Sequence, residues 1–135
     1  MTAAILQRSA TAERERDAVA LVRDAHRQVA DLVAELDLDD RAVWVTADRS
    51  VARVVAEAYG VVGALTGEQW SVAEPGVPPV VRIRELSVAQ RRLDATLDKP
   101  ANRVQAPEVL AALAGSATRV TEAARWLSIV TRAAE

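Results

Sequence analysis

The stretch LVRDAHRQVADLV, residues 21–33, has the apolar spacing that decides the predicted fold. Its apolar residues recur every three or four positions, which places them on one face of an α-helix. The same spacing continues in both directions, while arginines and carboxylates occupy the opposite face. The pattern therefore predicts an amphipathic helix from about residue 11 to about residue 38, and the polar stretch DLDD, residues 37–40, supplies a cap for the next helix.

Similar apolar stripes predict three further helices, over about residues 41–70, 82–98 and 107–133. The first of them begins with RAVWVTA, residues 41–47, whose local propensity is also compatible with a strand. Residues 72–81, VAEPGVPPVV, contain three prolines and a glycine and so predict a connector. Pro107 suits the first position of the last helix, because proline lacks only a backbone N–H that this position leaves unpaired.

Four helices with polar breaks between them, and no convincing pair of strands, predict an all-α protein. We expect one domain over residues 1–135, folded as an antiparallel up-down four-helix bundle and assembled as a dimer. The sequence shows no internal repeat and no low-complexity tail. The connector at residues 72–81 separates two helical hairpins, neither of which could bury both its faces alone.

The composition excludes several classes of function. The chain has no cysteine, which excludes disulfides, thiolate nucleophiles and cysteine-ligated metals. A net charge of −2 gives no general attraction to nucleic acid or to an anionic membrane. The N-terminus lacks the basic region of a signal peptide, and the longest uncharged run near the middle is too short to span a bilayer. We therefore expect a cytoplasmic protein without a membrane partner, and the excess of arginine over lysine is typical of GC-rich bacterial genomes.

His26 is the only histidine and lies on the flank of the first apolar stripe. Histidine-phosphotransfer domains are also four-helix bundles, but the residues that follow His26 lack the lysine and glycine usual there. We interpret His26 as a buried structural residue with one ring edge against the core and the other at water or a polar neighbour. Gln90, at the centre of the third stripe, is the second expected buried polar residue, and we predict a hydrogen bond between the two. A phosphotransfer-like or small-ligand bundle using His26 is an alternative.

Other catalytic and metal-binding patterns are missing. The sequence contains no Glu-x-x-Glu pair, no phosphate-binding loop with its lysine and no nucleophile elbow. One histidine and mostly outward-facing carboxylates do not predict a transition-metal site. We therefore expect no cofactor, no metal, no catalytic residue and a non-enzymatic function.

The third predicted helix is rich in arginine. Arg84 and Arg91 share a helical face, whereas Arg92, the next residue in the chain, points elsewhere. A solvated basic face is the ordinary explanation for such a cluster. The alternative is contact with nucleic acid through these three arginines, which would make the chain a nucleic-acid-associated accessory protein.

Trp126 provides the strongest indication of function. It lies roughly 100° or more from the centre of the last helix's apolar stripe, at 3.6 residues per turn. Ile129 and Val130 lie close to it, so the three side chains form a plausible partner site. The alternative is that the N-terminal residues, with Ile5 and Leu6, fold over the tryptophan. We predict a small interaction or regulatory protein that binds a protein partner or itself through this face.

Overall fold

The structure, a computed structural model, describes the backbone of residues 2–99 and 107–133 and the side chains of residues 13–99 and 107–132. The described residues form four helices, which are α1 (Thr2–Ala34), α2 (Arg41–Thr66), α3 (Pro79–Asp98) and α4 (Pro107–Ala133). No strand occurs among them. The all-α class predicted from the sequence is therefore confirmed.

The ambiguous segment RAVWVTA forms the first two turns of α2. Asp40 caps this helix, because its Oδ1 accepts hydrogen bonds from the backbone N–H groups of Ala42 at 3.0 Å and Val43 at 3.2 Å. Trp44 belongs to the buried side of the helix. The cap and the buried tryptophan together outweigh the strand propensity of the β-branched residues around them.

The C-terminal end of α2 comes earlier than the predicted residue 70. Gly67 adopts a left-handed conformation with φ of 77°, and its N–H bonds to the carbonyl of Gly63 at 2.8 Å. A Cβ atom on Gly63 would come within 2.9 Å of the Glu68 carbonyl oxygen. These two glycines allow the chain to turn sharply and leave the helix at this point.

Among the other helices, α1 and the start of α3 differ from the predicted bounds. α3 begins at Pro79, inside the predicted connector, because a proline is tolerated in the first helical turn. α1 begins at Thr2 and ends at Ala34, so it starts and stops earlier than predicted. α4 has the predicted bounds. Most of the predicted loop between α3 and α4 falls at residues 100–106, outside the described residues.

The core is built mainly from valine, alanine and leucine. α1 packs mainly along α4, and α2 packs against both α3 and α4. The largest fully buried apolar side chains are Val22, Val29, Val51, Val54, Val55, Val62, Leu93, Leu97, Val120 and Leu127. Small core residues such as Ala47, Ala58 and Ala124 let the helix backbones approach closely, which suits a chain with few aromatic residues.

The contacts between α2 and α3 occur in the same order along both helices. Asp48 of α2 accepts a hydrogen bond from Arg82, in the first turn of α3, with 2.7 Å between Oδ1 and Nε. Further along, Trp70 stacks on Tyr59 of α2 and lies against Arg92 of α3. The two helices therefore run in the same direction.

Because α2 and α3 run in the same direction, the expected up-down alternation is wrong for the second and third helices. The connector, residues 67–78, has room for it, because 12 extended residues span about 40 Å, roughly the length of a 26-residue helix. The chain thus runs back along α2 before α3 begins. Among the described residues, no helix combines the length and the apolar character needed to cross a membrane.

Candidate functional site: an exposed apolar face and two buried polar clusters

The outer side of α4 presents large apolar side chains to solvent. Trp126 is 61% exposed and Ile129 is 55% exposed. Val130, next to Ile129 in the chain, is half-buried and packs against the core. We call these three residues the α4 patch. The structure thus places the predicted partner-binding residues together, at the surface of one helix.

Charged residues border the α4 patch along the helix axis. Glu122 lies one turn before Trp126, and Arg132 lies about one turn after Ile129, both exposed. Arg119 does not contribute to this border, because it turns toward α2 and forms an ion pair with Glu57 at 2.5 Å. The exposed face of α4 therefore carries, in chain order, the acid Glu122, the base Arg125, the apolar residues Trp126 and Ile129, and the base Arg132.

The alternative explanation for Trp126 is that the N-terminal residues, with Ile5 and Leu6, fold over its ring. α1 begins at Thr2, so these first residues continue the helix. The side chains of Ile5 and Leu6 lie outside the described residues. The large exposed fraction of Trp126 leaves most of its ring open to a partner.

The three arginines predicted as nucleic-acid contacts do not form one surface. Arg84 and Arg91 are exposed on α3, as their shared helical face implies. The guanidinium carbon of Arg92 instead lies 3.5 Å from the ring centroid of Trp70, in a cation–π contact. Trp70 in turn stacks on Tyr59 with 6.1 Å between the ring centroids. Arg92 thus holds the connector to the bundle, and the nucleic-acid alternative depends on Arg84 and Arg91 alone.

His26 and Gln90 are joined by a hydrogen bond, as predicted, but the bond does not involve the histidine ring, and Gln90 is half-buried rather than buried. The side-chain Nε2 of Gln90 donates to the backbone carbonyl of His26 at 2.9 Å. His26 is 4% exposed, and both of its ring nitrogens are buried without a hydrogen-bond partner. The expectation that one ring edge would reach water or a polar neighbour is therefore wrong.

The reason for this burial lies in the neighbours of α1. The apolar stripe alone implied one packed side of α1, whereas α1 packs against α4 and also contacts α3 near Gln90. Burial lowers the pKa of His26 from 6.5 to about 4, while the nearby carboxylate of Glu57 opposes this shift. A neutral, enclosed imidazole offers no accessible nitrogen to a phosphoryl donor, which removes the support for the phosphotransfer alternative.

A buried charge cluster at the start of α3 was missed from the sequence. Arg82 is completely buried and forms ion pairs with Asp48 at 2.7 Å and with Glu85 at 2.5 Å. Its remaining donors reach the connector, with bonds of 2.9 Å to the carbonyls of Ala73 and Glu74. The signal that could have revealed it was Asp48, a carboxylate within the apolar stripe of α2.

The carboxylates of this cluster also hold the connector. The backbone N–H of Gly76 donates to Asp48 at 3.0 Å, and that of Ala73 donates to Glu85 at 2.7 Å. Arg82 therefore forms ion pairs with both carboxylates. The two carboxylates accept hydrogen bonds from backbone N–H groups of the connector, and the guanidinium donates to its carbonyls. In a buried setting such full pairing is required, because each unpaired charge would be costly.

The described side chains bring no group of three or more histidine, aspartate or glutamate residues into an arrangement that could hold a metal ion. No known protein family matches the sequence, no curated protein matches it, and no solved structure matches the fold.

Proposed function

We propose that the protein is a small, non-enzymatic interaction protein that forms a dimer through the outer face of α4. The observation that supports this proposal is the pair of exposed large side chains, Trp126 and Ile129, one turn apart on the same helix. Single exposed apolar residues are common on protein surfaces, but an adjacent tryptophan and isoleucine form a patch that gains free energy when covered. Tryptophan is also enriched among the residues that dominate binding energy at interfaces.

The charges beside the α4 patch favour a second copy of the chain as the partner. In a two-fold dimer, if one residue contacts a second residue of the other copy, the second residue of the first copy also contacts the first residue of the other. If two α4 helices pair in opposite directions with the axis between Trp126 and Ile129, each tryptophan faces the other copy's isoleucine. Glu122 of each copy then lies opposite Arg132 of the other. The apolar contacts and the Glu122–Arg132 pairs are self-complementary, and Arg125, exposed beside Trp126, adds one further positive charge per copy.

The expected interface is small. Two large side chains and their charged neighbours bury less surface than a standard stable interface. We therefore expect reversible association in the micromolar range rather than an obligate dimer. A different protein with a complementary apolar surface is the alternative partner for the same face.

Sedimentation velocity over a range of protein concentrations tests this proposal. The wild-type chain should shift from monomer to dimer as its concentration rises, and Trp126→Ala should remain monomeric with unchanged helical content. Val80→Ala, which truncates an exposed apolar residue on α3, is the matched control and should dimerise like the wild type. A wild-type chain that stays monomeric at millimolar concentration would overturn self-association.

A further inference from the structure

A cleft of about 420 Å³ lies between the start of α2 and the connector, away from the α4 patch. Trp44 and Val45 line its α2 side, and Pro75, Val77 and Pro78 line its connector side. The volume is in the range of small-molecule sites. Most of these lining side chains are apolar, so the cleft offers a surface for a ligand with an apolar body.

The connector wall of this cleft is held by the buried charge cluster. Asp48 binds the N–H of Gly76, Arg82 binds the carbonyl of Glu74, and the indole N–H of Trp44 reaches the carbonyl of Val77 at 3.4 Å. A buried ion cluster contributes little net stability compared with well-packed apolar residues, but it fixes a conformation. Here it fixes a proline-rich wall at a set distance from α2, so the cleft is formed before any ligand enters.

Charge at the rim selects the kind of ligand. Arg41 and Arg49 flank Val45 at spacings of four residues, so all three lie on one face of α2. Both arginines are exposed, and neither forms an ion pair within the described residues. Asp39 is the exposed acid at the rim, while Asp48 is already engaged by Arg82 and Gly76. The exposed rim therefore carries two arginines against one acid.

We propose that this cleft binds a small amphipathic organic acid, with its apolar chain against Trp44, Val45 and Val77 and its carboxylate at the arginines that flank Val45. Arginine recognises a carboxylate through paired N–H donors, which gives both attraction and orientation. The apolar chain would cover Val45, which is 60% exposed, and Leu38, which is 40% exposed. This site is separate from α4, so it does not depend on the dimer.

The test uses the full chain labelled with ¹⁵N and three probes of equal chain length: octanoate, 1-octanol and octylamine. Each of the three tryptophans contributes one indole N–H signal, and the Trp44 signal, assigned by substitution, reports on the cleft. Octanoate should shift the Trp44 signal saturably and leave the Trp126 signal in place. The alcohol should bind about three- to tenfold more weakly, since it lacks the charge-assisted bonds to arginine, and the amine should bind most weakly.

The matched variants are Arg41→Gln with Arg49→Gln in the cleft, and Arg53→Gln as an exposed control on the same helix. The double variant should bind octanoate no better than octanol, whereas Arg53→Gln should keep the wild-type preference. Equal binding of the acid and the alcohol by the wild-type chain would overturn the proposal without any variant. The proposal would also be overturned if octanoate did not shift the Trp44 signal, or if the double variant still bound octanoate more tightly than octanol.

Discussion

The side-chain amide of Gln90 on α3 donates a hydrogen bond to the backbone carbonyl of His26 on α1, over 2.9 Å. That carbonyl lies in the middle of α1, where it already accepts a helical bond and still has a second lone pair free. The bond therefore links two helices without interrupting either one. It also favours one position of α1 along α3, because the amide is bonded to one particular carbonyl of α1.

Replacement of Gln90 should show what this bond contributes. Gln90→Met keeps the shape of the side chain and removes the donor, so we expect a loss of about 0.5–1.5 kcal/mol in the free energy of unfolding, typical of one hydrogen bond. Urea denaturation followed by circular dichroism measures the change. Gln28→Met, at an exposed position on α1, serves as the control and should change stability little. Equal stability of Gln90→Met and the wild type would show that the bond makes no net contribution.

His26 should make the fold sensitive to acid. Its pKa is lowered from 6.5 to about 4 in the folded chain, chiefly by burial, so the folded state disfavours its protonated form. The stability associated with neutral His26 is therefore complete above pH 6.5 and is lost as the pH falls toward 4. The full loss is about 3 kcal/mol, since each pKa unit corresponds to about 1.4 kcal/mol.

The His26→Leu variant isolates this effect from the titration of carboxylates. It should lose less stability than the wild type between pH 6.5 and pH 4, as measured by urea denaturation at a series of pH values. A direct titration of the His26 ring protons by NMR provides a second measurement. If the two proteins lose stability in parallel, or if the ring titrates near 6.5, the burial of the imidazole does not govern its protonation.

The Arg82 cluster should respond differently to single and double replacement. Arg82→Met leaves the buried carboxylate of Asp48 without its ion partner and should cost about 3–5 kcal/mol. Adding Asp48→Asn removes that uncompensated charge, and its amide oxygen can still accept from Gly76, so part of the loss should be recovered. Arg84→Met, at the exposed arginine two positions along α3, is the control. A double variant that is less stable than Arg82→Met would contradict this account.

The sequence predicted the number of helices and most of the core because apolar spacing depends on each helix alone. The same information could not give the direction of α3, which depends on the connector. Residues 72–78 lie outside the helices, as predicted, and residues 79–81 instead form the first turn of α3, but the prolines do not say where the chain goes. That path is set by Arg82 and Asp48, 34 positions apart in the chain, whose contact no periodic pattern encodes.

The candidate sites differ in how much of each could be predicted from the sequence. Trp126 stands on the polar side of a single helix, so its exposure follows from helical geometry and the structure agrees. The burial of both His26 nitrogens and the contact of Arg92 with Trp70 depend on neighbouring elements. The cleft beside Trp44 likewise exists only because the connector returns along α2, so it could not be predicted from any one segment.

The α4 dimer should respond to charge reversal in a way that distinguishes it from binding of another protein. In the two-fold arrangement Glu122 of one copy lies opposite Arg132 of the other, so Glu122→Arg places two cations together at each end of the interface. Arg132→Glu likewise places two acids together. Each single reversal should weaken dimerisation several-fold, most strongly at low salt, where such exposed charges are least screened.

The chain that carries both reversals restores opposite charges at each end and should dimerise nearly as well as the wild type. Sedimentation velocity at low and at high salt measures the four proteins under the same conditions. If both single variants dimerise like the wild type, or if the double variant is weaker than either, the two α4 helices do not pair in opposite directions about an axis between Trp126 and Ile129.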